Sequence, residues 1–296
     1  MGYDIIELDE AQIEDVDERL GAYDESFFGG MPEAEINLGV LHDGELVAGI
    51  CAAMSEYNIM DIKALFVDEG YRGRGLGRFL VRAMEESAIE AGANVVRVDS
   101  DTGFGWKLYP AIGYREMGQY TYSNGDANHL FVKIIGKDAV ETHSEGTQSL
   151  PSAFQLAEMD EEQAADIKDR LDNYEAEYFD AELEESEICL GIMQDDKVVG
   201  GAWAFVWSGL DNVKQQHHAE SYLATLFVDE NYRGKGLGAA LMRELEKRAR
   251  SMGVQHIRVD TFDWQNPGFY RKLGYEEIGH YTYPTGYAEY FFVKHL

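Results

Sequence analysis

Only two cysteines, Cys51 and Cys189, occur in 296 residues. Neither a disulfide framework nor a thiolate metal cluster can organise such a chain. The eight histidines are scattered without ligand spacing, so no metal site is expected. No run of eighteen or more apolar residues is present, and Met1-Gly2-Tyr3-Asp4 lacks the charged and apolar regions of a signal peptide. The expectation is a reduced, cytoplasmic protein with no membrane partner. Basic residues are also scarce: 25 Lys and Arg stand against 55 Asp and Glu, a net charge of −30. A field of this sign repels nucleic acid and anionic lipid and attracts cations, which excludes nucleic acid as a partner. Residues 1–150 hold 11 basic and 28 acidic side chains and residues 151–296 hold 14 and 27, charges of −17 and −13. The excess is therefore not an acidic tail on a neutral domain. Solubility or life in high salt accounts for it, and so does attraction of a cationic substrate.

What is present is apolar material for two cores, with hydrophobic residues at 45% and aromatics at 12%. The chain also repeats itself. Residues 65–77 read LFVDEGYRGRGLG and residues 226–238 read LFVDENYRGKGLG. The same spacing carries Arg97-Val98-Asp99 onto Arg258-Val259-Asp260, Tyr109 onto Tyr270, and Gly113-Tyr114 onto Gly274-Tyr275. Near the front the spacing is shorter: Asp9, Arg19, Leu20 and Tyr23 match Asp160, Arg170, Leu171 and Tyr174. About ten extra residues thus enter the second copy, most simply around Gly209–Glu220. A polar stretch from Gly136 to Ser152, closed by Pro151, reads as a linker. The domains expected are 1–136 and 153–296, joined by 137–152.

Each copy reads alike. Ile13, Val16, Leu20, Tyr23 and Phe27 stand at helical spacing, as do Ile167, Leu171, Tyr174 and Tyr178. Breaks at His42-Asp43-Gly44 and Gln194-Asp195-Asp196 read as hairpins. Leu65–Val67 and Leu226–Val228 read as buried strands. An amphipathic helix follows each, with Gly92 and Gly253 placed as C-terminal caps.

Between strand and helix lie Arg72-Gly73-Arg74-Gly75-Leu76-Gly77 and Arg233-Gly234-Lys235-Gly236-Leu237-Gly238. A helix N-terminus presents unpaired N–H groups and the positive end of the dipole, glycine admits close approach, and Arg or Lys adds charge. The combination suits a pyrophosphate; a tight turn without a ligand would look the same in a single copy. Neither segment has the Gly-x4-Gly-Lys-Ser/Thr spacing of a P-loop, and Gly-x-Gly-x-Gly is not the dinucleotide fingerprint.

These segments resemble motif A of the GNAT superfamily of N-acetyltransferases, Arg/Gln-x-x-Gly-x-Gly/Ala, through Arg72, Gly75 and Gly77 and through Arg233, Gly236 and Gly238. Leu108-Tyr109-Pro110-Ala111-Ile112-Gly113-Tyr114 and Phe269-Tyr270-Arg271-Lys272-Leu273-Gly274-Tyr275 are similar to the family's Phe-Tyr-x-x-x-Gly-Phe segment. The resemblance covers nearly the whole chain, twice. It implies two tandem α/β (mixed α+β) domains, each a twisted mixed sheet flanked by helices and splayed at Leu65–Val67 or Leu226–Val228. It implies acetyl-coenzyme A as co-substrate and a small-molecule primary amine as acceptor. The backbones of Leu65, Phe66 and Val67, and of Leu226, Phe227 and Val228, would hold the pantetheine arm and acyl carbonyl. The loops Arg72, Gly73, Arg74, Gly75, Leu76, Gly77 and Arg233, Gly234, Lys235, Gly236, Leu237, Gly238 would hold the pyrophosphate. Tyr109 and Tyr270 stand where the family often places its general acid; a core aromatic with a satisfied hydroxyl is the alternative.

The family's usual glutamate base has no counterpart, because Arg97 and Arg258 occupy its place. Asp99 and Asp260 remain as bases or helix caps, with Glu56, Asp61, Glu220 or a water chain equally open. His217 and His218 read as solvated loop. The second copy carries the polar run Asp263-Trp264-Gln265-Asn266, which the first lacks, and so reads as the better-formed site. The expected activity is acetyl transfer to a small, cationic primary amine. Alternatives are a chain similar to mycothiol synthases, also tandem, or one working copy beside a cofactor-binding scaffold.

Overall fold

A computed structural model describes residues 3–28, 34–55, 58–122, 125–136, 150–179, 184–211 and 216–296, the side chains of 28, 55, 177–179, 209–211 and 216–218 apart. In chain order the first elements are β1 (Asp4–Glu7), α1 (Glu10–Phe28), β2 (Glu35–His42), β3 (Glu45–Ser55) and β4 (Ile59–Val67). There follow α2 (Leu76–Glu90), β5 (Val95–Asp101), α3 (Leu108–Ala111), β6 (Arg115–Thr121) and β7 (Ala127–Ile134). The series then repeats as β8 (Phe154–Glu158), α4 (Glu161–Phe179), β9 (Glu184–Gln194), β10 (Lys197–Asp211) and β11 (Gln216–Val228). It ends with α5 (Leu237–Ser251), β12 (His256–Phe262), α6 (Pro267–Lys272), β13 (Glu276–Thr282) and β14 (Ala288–His295).

Two compact units result, and they divide the chain differently from the two copies at 1–136 and 153–296. One unit gathers β1 and α1 with β9 through β14; the other gathers β2 through β7 with β8 and α4. Each copy thus lends its leading strand and helix to the other copy's sheet. The pairing is explicit: β1 runs antiparallel to β9, and β8 antiparallel to β2. Residues 137–149 of the expected linker lie outside the described residues.

Within the unit of β2–β8 the strand order is β8-β2-β3-β4-β5-β7-β6, and within the other it is β1-β9-β10-β11-β12-β14-β13. Both are mixed sheets, parallel among the described residues only at β4–β5 and β11–β12. Alternate residues feed opposite faces. One face of the first sheet packs Leu38, Ile50 and Met60 under Leu80, Val81 and Met84 of α2. The opposite face carries α4 through Ala164 and Ile167, with Met159 just ahead of the helix. Glycines make room for that helix: a Cβ at Gly49 would fall 2.6 Å from Ile167 Cγ1. In the other unit Gly201 lies likewise beneath Val16 of α1. The apolar rows expected at Ile13, Val16 and Ile167 are buried, at 3%, 0% and 0% exposure.

The hairpin signals mark real turns, with Asp43 and Gly44 at φ 52° and 85° and Asp195 and Asp196 at 47° and 60°. The extra residues of the second copy lengthen the β10–β11 ladder out to Asp211 opposite Gln216. Gly92 and Gly253 take positive φ just beyond α2 and α5, as C-terminal caps do.

Candidate active site

The parallel ladders are short. β4 meets β5 only at Ile59, Met60 and Asp61, and β11 meets β12 only at Glu220, Ser221 and Tyr222. A register shift in the preceding ladder, at Cys51/Ala52 and again at Trp203/Ala204, marks a bulge in each unit. Bulges bend and twist a strand, and beyond them the strand leaves its parallel neighbour. Leu65, Phe66 and Val67 are therefore half-buried rather than buried, because β5 no longer flanks them. Of the second trio Phe227 is buried, at 8% exposure, while Leu226 and Val228 are half-buried.

At each strand end the chain makes one 3₁₀ turn and enters the glycine loop. Gly73 and Gly75 take φ of 73° and 83°, Gly234 and Gly236 of 75° and 81°. Such values favour glycine. Gly75 and Gly236 are the N-caps of α2 and α5, with no side-chain cap on the free N–H groups. Among the described residues nothing lies within 4 Å of where a Cβ would stand at any of the four. Uncapped amides beneath open space fit a pyrophosphate.

Arg72 donates from Nε to the Val67 carbonyl at 2.9 Å, and its guanidinium lies 4.4 Å from the Tyr174 ring centroid. Arg233 repeats this with the Val228 carbonyl at 2.8 Å and Tyr23 at 4.7 Å. These contacts hold the loop against the incoming helix while using one of five donors. Arg74 instead donates to the Gly70 carbonyl at 2.9 Å, and Lys235 lies 4.7 Å from the Tyr232 ring. The incoming helix is tied down in turn: Arg170 of α4 bonds the Leu46 carbonyl and Asp68, and Arg19 of α1 bonds the Val198 carbonyl and Asp229.

In the unit of β2–β8 a cavity of about 560 Å³ joins these parts. It brings together Leu65, Phe66, Val67, Arg72, Gly73, Gly75, Leu76, Gly77 and Tyr109, with Leu171 and Tyr174 of α4 as a wall. A volume of this size suits a cofactor-sized ligand. Tyr109 is 6% exposed, and its hydroxyl has no hydrogen bond among the described residues. Burial pushes that hydroxyl well above the ordinary tyrosine range, and Asp99 adds to the shift. Tyr270, 7% exposed, is raised in the same way by burial and then by Asp260. Both phenols stay protonated at neutral pH and can donate.

The acidic candidates fare differently. Asp61 is held by Arg97 through two bonds of 2.7 and 3.1 Å. Glu220 meets His256 Nε2 at 3.3 Å and Arg258 at 3.8 Å. Asp99 accepts from Asn128 at 3.1 Å, and Asp260 accepts from Tyr222 at 2.8 Å. Neither caps a helix, since the N-caps of α3 and α6 are Lys107 and Asn266. Glu56 and the side chains of His217 and His218 lie outside the described residues.

The polar run of the second copy has a structural partner. Asp24 of α1, 5% exposed, accepts from Trp264 Nε1 at 3.1 Å and Gln265 Nε2 at 2.7 Å. Burial raises its carboxyl, and those two bonds oppose the rise. The residue at the matching place on α4 is Glu175, which the sequence reading missed. The spacing that carries Tyr23 onto Tyr174 carries Asp24 onto Glu175, but Asp and Glu do not register as identical. Burial pushes the Glu175 carboxyl up to about 7, with Asp101, Asp172 and Asp99 adding repulsion. An unfolded glutamate titrates near about 4.3, so between those values the folded chain holds the extra proton. Stability is then present below the unfolded value and is lost as pH rises through about 7. Glu175→Gln should remove that loss. Relative to wild type its stability rises between pH 5 and 8 by on the order of 2 kcal/mol, read from thermal unfolding at both pH values. A difference independent of pH would contradict the shifted carboxyl.

The family model described as Acetyltransferase (GNAT) family matches residues 3–114 and 152–275, more than half of the chain. Blasticidin-S acetyltransferase of Streptomyces morookaense is 41% identical over 73 residues, 24% of this chain and 54% of its own length. An uncharacterised protein of Mycobacterium leprae (strain TN) is 33% identical over 102 residues, 34% of this chain and 26% of its own. The chain thus spans about half or less of the curated relatives it matches. Among solved structures, an acetyltransferase from Bacillus cereus ATCC 14579 is 27% identical, covering 48% of this chain and 97% of its own, with a TM-score of 0.42. With its motifs present twice and the family model matching both copies, the chain belongs to the acetyltransferase (GNAT) family.

Proposed function

We propose that the chain transfers an acetyl group from acetyl-coenzyme A to a primary amine of a small, cationic substrate by direct attack, chiefly in the unit of β2–β8. The observation that carries this reading is the cavity that runs from the uncapped N-terminus of α2, past the edge of Leu65–Val67, to Tyr109, whose hydroxyl has no hydrogen bond among the described residues. In it the N–H groups of the α2 first turn and the spare donors of Arg72 would hold the pyrophosphate. The edge of Leu65–Val67 would hold the pantetheine arm. When bound, acetyl-coenzyme A supplies the activated acyl carbon. Tyr109 gives its proton to the departing sulfur. A free thiol titrates near about 8.5, but burial that raises a phenol also raises a thiolate left beside it, which keeps donor and acceptor matched.

The net charge of −30 supports a cationic acceptor. The similarity to a protein named for blasticidin-S supports a small-molecule one. A second reading concerns the unit of β9–β14. Its Trp264 and Gln265 are both engaged by Asp24, which favours a cofactor-binding or scaffolding role there over acceptor binding.

Coenzyme A release with blasticidin S, spermidine and an alanine-initiated peptide tests the reading. Turnover is expected with a cationic small amine, and kcat/KM should fall as salt rises through screening. Release with none of them would overturn acetyl transfer to a small amine; a rate that rises with salt would overturn the cationic acceptor.

A further inference from the structure

We infer that Glu175 is the general base of acetyl transfer in the unit of β2–β8 and that, with Asp99 and Asp101, it receives the acceptor as a primary ammonium. The inference rests on the acetyltransferase reading above and adds to it the base and the charge state of the substrate.

Four observations meet at this place. Glu175 follows Tyr174, whose ring lines the cavity and meets Phe104 edge-on at 5.9 Å. The amide of Asn128 bridges the carboxylates of β5, donating to Asp99 at 3.1 Å and to Asp101 at 3.0 Å. Asn128 is 4% exposed, yet its Oδ1 has no partner among the described residues. Tyr109 lines the same cavity, and its hydroxyl has no hydrogen bond among the described residues either. A buried acceptor without a donor, on an amide that bridges two carboxylates, is what a bound ammonium with its three N–H donors would satisfy.

Elimination points the same way. Asp61 is spent on Arg97, Glu220 on His256 and Arg258, and Asp24 on Trp264 and Gln265. Glu175 makes no hydrogen bond or ion pair among the described residues. The charged groups that act on it are Asp99 and Asp101 from β5 and Asp172 from its own helix, all of one sign. The Arg72 guanidinium is held by the Val67 carbonyl and the Tyr174 ring. Together with burial this poises the carboxyl at about 7, where a base working near neutrality is most effective.

The protons balance as follows. Glu175 takes one proton from the ammonium and releases it to water, leaving a neutral amine. The C–N bond forms at the acyl carbon, and the nitrogen gives a second proton to Glu175. As the C–S bond breaks, Tyr109 protonates the sulfur and recovers its proton from Glu175 through solvent. One proton is released per amide formed, with no redox change.

Two measurements test this on the full chain. A ¹³C-NMR titration of the glutamate carboxyls, assigned by difference from Glu175→Gln, should show one midpoint near 7; a midpoint in the ordinary carboxylate range overturns the inference whatever the acceptor. In the pH profile of kcat/KM for the best amine, Glu175→Gln should lower the value by about 100-fold or more and flatten the limb near pH 7. Glu175→Asp, which keeps the charge, should recover part of the rate. A Gln variant within about threefold of wild type, with the limb intact, overturns the inference while leaving acetyl transfer standing. A wild type that binds coenzyme A but acetylates no amine contradicts both, and one that binds no coenzyme A contradicts the acetyltransferase reading itself.

Discussion

Tyr109→Phe should lower kcat by about 100-fold or more while leaving the affinity for coenzyme A nearly unchanged. The hydroxyl is the only group removed, and the ring contacts with Tyr114 and Phe131, at 5.5 and 5.7 Å, persist. That hydroxyl has no hydrogen bond among the described residues, so its loss leaves no partner stranded and stability should change little. A fall in kcat of this size is what a positioned proton donor supplies. Tyr270→Phe is the matched control, in a helix of the same type with the same burial. If acceptors bind chiefly in the unit of β2–β8, turnover in that variant stays within about threefold of wild type. Equal losses in the two variants would mean two working sites. Full activity in both would remove tyrosine from the chemistry.

Gly75→Glu should abolish cofactor binding in the unit of β2–β8 and turnover with it. Two effects add. The backbone at φ 83° penalises any L side chain, by about 1–2 kcal/mol. The added carboxylate also enters the open space above uncapped N–H groups, where an anion would sit. Gly75→Ala separates them, since it carries the strain without the charge and should bind more weakly but still bind. Gly236→Glu, the matched change in the other unit, should remove one cofactor and leave most turnover. The reverse pattern, with Gly236→Glu inactive and Gly75→Glu active, would move the chemistry to the second copy's loop.

Much of this site is written in short-range spacing. The strand, the glycine loop, the helix and the tyrosine follow one another within each copy, and a turn that needs positive φ leaves glycine as its mark. Hence the loops at 72–77 and 233–238 were legible, as were the hairpins at Asp43-Gly44 and Asp195-Asp196. Which helix covers which sheet was not. The pairing of β1 with β9 and of β8 with β2 joins segments far apart in the chain, and both copies offer the same glycine-lined face, as at Gly49 and Gly201. Periodicity cannot choose between equal partners.

That exchange also hid the acid–base group. Arg97 at the glutamate's usual place left a gap in the first copy, while the carboxylate that follows the cavity-lining Tyr174 stands on α4 of the second. The polar run that made the second copy look better formed has a partner within the fold. Trp264 and Gln265 bind Asp24 of α1, a contact invisible until the helix is placed.

Calorimetric titration of the wild-type chain with coenzyme A tests the account most directly, because every step proposed begins with that ligand on a glycine loop. Two open loops of one geometry predict two molecules bound per chain, falling to one in Gly75→Glu. No detectable binding, in a chain whose thermal unfolding shows it folded, would contradict it.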